Sequence, residues 1–159
     1  MCLSKVIHGQ KSARKKWLHR EGWKVFVTYG SGGNLYAPYQ QETFKRYVWK
    51  SLPKSYFNTL CYTSKYTVPL ANQVYLVGFH FCRYKTDAIY LAKKLNDLTG
   101  NWSDKWHTIK PIYFKDPTAY GKERDVYGHL SLVGVARQIF ICDSHCSENK
   151  FNAFPNGVV

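Results

Sequence analysis

The sequence predicts an α+β domain built on a mostly antiparallel sheet with one main helix. Three observations carry this reading. Short runs rich in aromatic and β-branched residues recur along the chain, helical spacing is clear only around residues 86–98, and the order is strands, helix, strands. A length of 159 residues fits a single core, and 45% hydrophobic with 17% aromatic residues supplies the side chains to fill it. The expected organisation is a basic N-terminal segment (1–22), one α+β domain (23–143) and a C-terminal tail (144–159) that is polar and bears Asn, Gly and Pro.

The basic run from Lys11 to Arg20 reads as a weakly amphipathic helical segment stopped by Gly22. Trp23 to Tyr29 and Leu35 to Tyr39 read as a hairpin, with Gly30 to Asn34 as its apex. Glycines there supply positive φ, and they fit neither a Walker pattern nor a dinucleotide-binding turn. Phe44 to Lys50 reads as a strand or a short helix, because periodicity does not separate the two. Ser55 to Gln73 reads as irregular or as carrying an edge strand, and Gln73 to Cys82 as buried strand with a break at Gly78. From a Thr86 or Asp87 cap, Ala88, Ile89, Leu91, Ala92, Leu95 and Leu98 make one apolar helical face, closed by Gly100. Thr108 to Phe114 and Leu130 to Ile141 are further strands, separated by a polar Asp116 to Asp125 region.

Charge is the most informative quantity. Lys and Arg number 23 against 10 Asp and Glu, a net +13, and residues 1–57 hold 11 of these bases but only two acids. Such a field selects polyanionic partners, either nucleic acid or an acidic protein surface. The expected contact set is Lys11, Arg14, Lys15, Lys16, Arg20, Lys45, Arg46 and Lys50, with Trp17 as a stacking platform. No apolar run approaches the roughly 20 residues that span a bilayer, so no membrane partner is expected. The five cysteines are unevenly spaced, and reduced thiols are the expectation.

Several short islands are familiar together. They are Met1-Cys2-Leu3, Gly22-Trp23-Lys24-Val25-Phe26, Gly78-Phe79-His80-Phe81-Cys82 before a helix with Asp87-Ala88, and Val135-Ala136-Arg137. The chain thereby resembles a loose set of small uncharacterised bacteriophage and bacterial proteins. The resemblance implies a phage or mobile-element origin and an accessory role in host takeover or evasion of host defence. The expected location is then the host cytoplasm, with the virion as the alternative. The Gly-Phe-His-Phe strand followed by a helix is also similar to the middle of ADP-ribosyltransferase-like folds, although no late-strand glutamate is evident.

Candidates for chemistry are few, and no catalytic set is assigned. His80 and Cys82 share a strand face and could meet as base and thiol, and Cys2 would become an N-terminal nucleophile on loss of Met1. Cys142, His145 and Cys146 are soft ligands that, joined by Cys61, Cys82 or His80, could hold zinc. No other cofactor is expected. The leading expectation is therefore a non-catalytic protein that binds nucleic acid or a nucleic-acid-handling complex. The alternatives are an ADP-ribosyltransferase-like or cysteine-dependent enzyme, and a virion component that meets genome or an acidic neighbour.

Overall fold

A computed structural model describes residues 3–16, 21–30, 34–38, 42–63, 73–100, 104–125 and 128–142, with the backbone alone for 14–16. The elements are β1 (Lys5–Gly9), α1 (Gln10–Lys16), β2 (Glu21–Tyr29), β3 (Leu35–Tyr36), β4 (Thr43–Phe44), β5 (Trp49–Ser51), β6 (Leu60–Tyr62), β7 (Val74–Leu76), β8 (Phe79–Cys82), α2 (Lys85–Thr99), β9 (Lys105–Arg124) and β10 (Leu130–Ile141). The strand order in the main sheet is β1-β9-β10-β8-β2-β3-β4, every pairing is antiparallel, and the sequence-derived fold class holds.

The sheet closes on itself. β9 is 20 residues long, and its first half pairs with β2, from Lys105 opposite Tyr29 to Tyr113 opposite Glu21. Its second half takes β1 instead, from Ala119 to Lys122, while β10 runs along the other edge. Since β10 also pairs with β8, and β8 meets β2 at Trp23 opposite Cys82, the ring β2-β9-β10-β8 is complete. Inside it pack Phe26, Phe44, Phe79, Phe81, Ile112, Phe114, Ile139 and Ile141. Phenylalanines at alternate strand positions fill so small a ring because each removes a large apolar area from water.

The change of partner along β9 coincides with a bulge. Ala136 faces Pro117 and Val135 faces Ala119, so Thr118 is the extra residue. Pro117 has no N–H for the ladder, and Asp116 before it has φ 53°, a conformation that acidic side chains tolerate better than most. The buried Thr118 hydroxyl donates to the Leu76 carbonyl at 3.0 Å, which ties β7 to the bend. Arg137 holds the Asp116 carboxylate at 3.1 Å and donates to the Phe57 carbonyl at 3.0 Å. The polar Asp116 to Asp125 region expected to separate two strands is thus continuous strand. Proline, aspartate and glycine there mark a bulge rather than a loop.

α2 lies on the outer face of β2 and β8, burying Ala88 and Ala92 against Val25 and Cys82. It begins one residue before the expected cap, with Tyr84 as N-cap and no side-chain capping bond, and Gly100 at φ 67° ends it. Leu91 and Leu95 pack inward, but Ile89 and Leu98 are 47% and 67% exposed, which narrows the expected apolar face. Asn96 clamps α2 to β9: its side-chain oxygen accepts from the His107 N–H at 2.7 Å and its amide donates to the His107 carbonyl at 3.0 Å. Asn96→Ala breaks both bonds, and a loss of about 2 kcal/mol is expected in urea unfolding.

Other expectations resolve in detail. The hairpin forms, with Val27 opposite Tyr36. The Phe44 to Lys50 run is neither one strand nor a helix, because Tyr47 at φ 59° divides it between β4 and β5. The break at Gly78 separates β7 from β8; a Cβ there would lie 2.7 Å from the Ala136 carbonyl oxygen, so only glycine admits this approach. Within the N-terminal segment, Lys5–Gly9 joins the sheet, because β1 pairs with β9, and α1 follows it directly.

Candidate functional site

Two groups of side chains stand out, one on each face of β9. The first is a basic row. Lys5 of β1 lies opposite Lys122 of β9, Lys122 lies opposite Leu132 of β10, and the Arg83 N–H donates to the Leu132 carbonyl at 2.9 Å. Lys5, Lys122, Leu132 and Arg83 therefore form one row across four chain segments. Arg124, two residues past Lys122, adds a further cation on the same face. Tyr120 is two residues back on that face; the Arg83 guanidinium donates to its hydroxyl, and His8 stacks on its ring at 5.9 Å. Lys5 and Arg124 are exposed, and Lys122 and Arg83 half-buried.

Glu123, at an odd position between these cations, points to the other face. None of the ion pairs between described residues involves Lys5, Lys122 or Arg124. Like charges directly opposite one another across a ladder are unfavourable, so the row is held at a cost.

The second group lines a cavity of about 300 Å³ at β8, between β2, α2 and the ends of β9 and β10. Trp23, Phe44 and Tyr90 bring aromatic rings to it, and Lys24, Glu42, His80, Glu123, Asp125 and Ser131 are polar residues of its lining. Lys24 is only 8% exposed. Its ammonium donates to the His80 carbonyl at 2.7 Å, bridging β2 to β8 near their one paired position, and lies 5.9 and 6.0 Å from the Phe26 and Phe44 ring centres. Burial pushes its pKa down to about 8, partly countered by the fields of Cys82, Glu42 and Glu123.

Burial also lowers the His80 pKa and keeps the ring neutral at pH 7. His80 Nδ1 and Glu123 Oε2 are 3.9 Å apart, too far for a hydrogen bond, and both atoms are buried without a partner. At the rim, His129 lies 3.1 Å from the Asp87 carboxylate and stacks on Tyr90 at 3.9 Å.

The sequence-derived candidates divide between these places and others. His80 and Cys82 do share a face, but burial raises the Cys82 pKa to about 12, so it is a thiol packed under α2 and not a nucleophile paired with an imidazolium. Lys11 is exposed on α1, next to the Lys5 edge. Lys45 is exposed, and Lys50 is held by Glu42 at 3.2 Å; with Arg46 they sit around β4 and β5, and β4 stands at the opposite end of the strand order from β1. Arg14, Lys15 and Lys16 lie in α1 with side chains outside the described set, and Cys2, Trp17, Arg20, His145, Cys146 and the tail fall outside the described residues altogether.

Cys142 is buried and disulfide-bonded, which corrects the expectation of reduced thiols throughout and removes its sulfur as a thiolate ligand in this state. Cys82 carries a free thiol, and Cys61 is half-buried. Among the described residues, no three or more His, Cys, Asp or Glu side chains gather as a metal ion requires, and no helix is long and apolar enough to cross a membrane.

Lys24, Glu123, Lys5, Arg83, Lys122 and Arg124 escaped the sequence reading. Lys24 has a signal in retrospect, since it stands where a strand through Trp23 to Tyr29 buries alternate side chains. The chain is thus a small basic α+β domain that carries a cation row and a cavity on opposite faces of one strand. No protein-family model, curated protein or solved structure matches it.

Proposed function

We propose that this protein binds nucleic acid through the Lys5–Lys122–Arg83 row, with Arg124 at its end. The observation that carries the reading is the assembly of cations from β1, β9 and the end of β8 on one face, with Glu123 between them turned to the other. Phosphate oxygens would relieve the repulsion within the row, and Tyr120 and His8 offer flat surfaces beside it. A net charge of +13 supports long-range attraction of a polyanion. The likeness to small phage proteins fits an accessory role in host takeover or anti-defence.

The test is fluorescence anisotropy with labelled single-stranded and duplex DNA and RNA across a salt series. Log K should fall linearly with log salt, and Lys5→Gln/Lys122→Gln should weaken binding on the order of 10-fold and flatten the slope by about 2. The same pair should leave stability unchanged or higher, because it removes a like-charge contact. Lys54→Gln/Lys93→Gln, on exposed positions elsewhere, should change binding far less. Absence of binding at low salt overturns the reading and redirects the charge to an acidic protein surface, including a neighbour in a virion.

A further inference from the structure

We propose that the cavity at β8 is a binding site for a nucleoside, with its base against the aromatic walls and a ribose 2′- or 3′-hydroxyl between His80 and Glu123. The proposal stands independently of the nucleic-acid reading, since Glu123 and Lys122 are adjacent in a strand and face opposite ways.

The hydrogen-bond chain sets the polarity of the site. In the proposed site the Tyr75 O–H donates to His80 Nε2 at 3.4 Å, while its oxygen accepts from the Leu3 N–H at 3.0 Å. Nε2 is then the acceptor, and the neutral ring carries its proton on Nδ1. That N–H is directed toward a carboxylate oxygen 3.9 Å away, which it does not reach, and each of the two atoms is buried and unpartnered. A group seated about 2.8 Å from both must accept from Nδ1 and donate to Oε2 at once. A hydroxyl does both; a carbonyl can only accept and an ammonium can only donate.

Lys24 adds the next requirement. An ammonium has three protons, and one goes to the His80 carbonyl. The others are available to a ligand oxygen or ring nitrogen on the cavity side. Trp23 and Phe44 supply apolar ring surface, Tyr90 being stacked on His129 at the rim, and about 300 Å³ is at the small end of ligand cavities. A flat ring with acceptor atoms, joined to a hydroxyl-bearing unit within that volume, describes a nucleoside.

Adenosine, guanosine, cytidine and uridine are titrated into the full protein by calorimetry, together with their 2′,3′-dideoxy counterparts. These probes are uncharged, so their binding reports the cavity whatever happens with nucleic acid. One or more ribonucleosides should bind, and the matching dideoxynucleoside at least 10-fold more weakly. Lys24→Met and Glu123→Gln, both close in volume to the native side chains, should each weaken binding 10-fold or more while far-UV circular dichroism stays native. Lys93→Gln should have no effect. No heat with any nucleoside at millimolar concentration overturns the proposal, as does equal affinity for the ribo and dideoxy forms. The latter comparison uses the wild-type chain and needs no variant to fold.

Discussion

Lys24→Met should make the protein more stable at pH 7, by about 2 kcal/mol, a rise in Tm of roughly 4 to 8 °C. The native pKa is about 8 against 10.5 for the free side chain. Between those values the unfolded chain holds a proton that the native state has released, so stability rises with pH across that window. Below pH 8 the cost of the buried charge is complete, on the order of 3 kcal/mol, and above pH 10.5 it is gone. Methionine removes that cost and keeps the packing against Phe26 and Phe44, but it also forfeits the bond to the His80 carbonyl, which takes back about 1 kcal/mol. Cys82 titrates in the opposite sense above pH 9, because its native pKa is raised to about 12. The informative quantity is therefore the difference between wild type and variant in chemical unfolding, which should shrink from pH 8 to 10.5. A constant difference over that range would mean that Lys24 is not held as a depressed amine.

Gly121→Ala should destabilise by 3 kcal/mol or more, roughly, although it adds only one carbon. A Cβ at this position would overlap the Lys5 carbonyl oxygen and crowd the Leu3 side chain. Both neighbours belong to the segment that pairs β1 with β9, and a backbone atom in a ladder cannot step aside as a side-chain end can. Either β1 leaves the sheet or β9 shifts. Leaving uncovers Leu3, which is fully buried, and the Tyr75 hydroxyl that its N–H donates to. The expected readout is a lower urea midpoint together with rapid hydrogen exchange at residues 4–6. Gly9→Ala serves as the comparison, since a Cβ there meets nothing within 4 Å. Equal effects of the two substitutions would contradict this account.

The fold class was legible because its signals are local. α2 announced itself through helical spacing and Gly100, and β10 through a stretch rich in aliphatic and β-branched residues. β9 was legible only in its first half, since Asp116, Pro117 and Gly121 are read locally as loop residues. In the fold they make a bulge and a close strand contact, which depend on β1 and β10, and no window of β9 contains those partners. The same limit hid the basic row: Lys5, Arg83 and Lys122 are remote in sequence and meet only through register. A count of charges pointed instead to the densest run, 11–20, much of which lies outside the described residues. His80 was identifiable because a histidine in Gly-Phe-His-Phe stands out from its apolar neighbours. Glu123 was not, because its strand was read as a loop.

The closed ring also dictates when this chain can fold during its synthesis. β2, α2 and β8 leave the ribosome before β9, yet β2 has most of its partners on β9, and β8 reaches its long partner only when β10 follows. Until then the ring phenylalanines have no interior to enter, and the nascent chain presents them to solvent. Closing the ring joins segments far apart in sequence, which makes the decisive step both late and slow. Spontaneous refolding should accordingly yield best at low protein concentration. In a cell, a holdase that covers apolar strands would act on this protein in the interval between the emergence of β2 and that of β10.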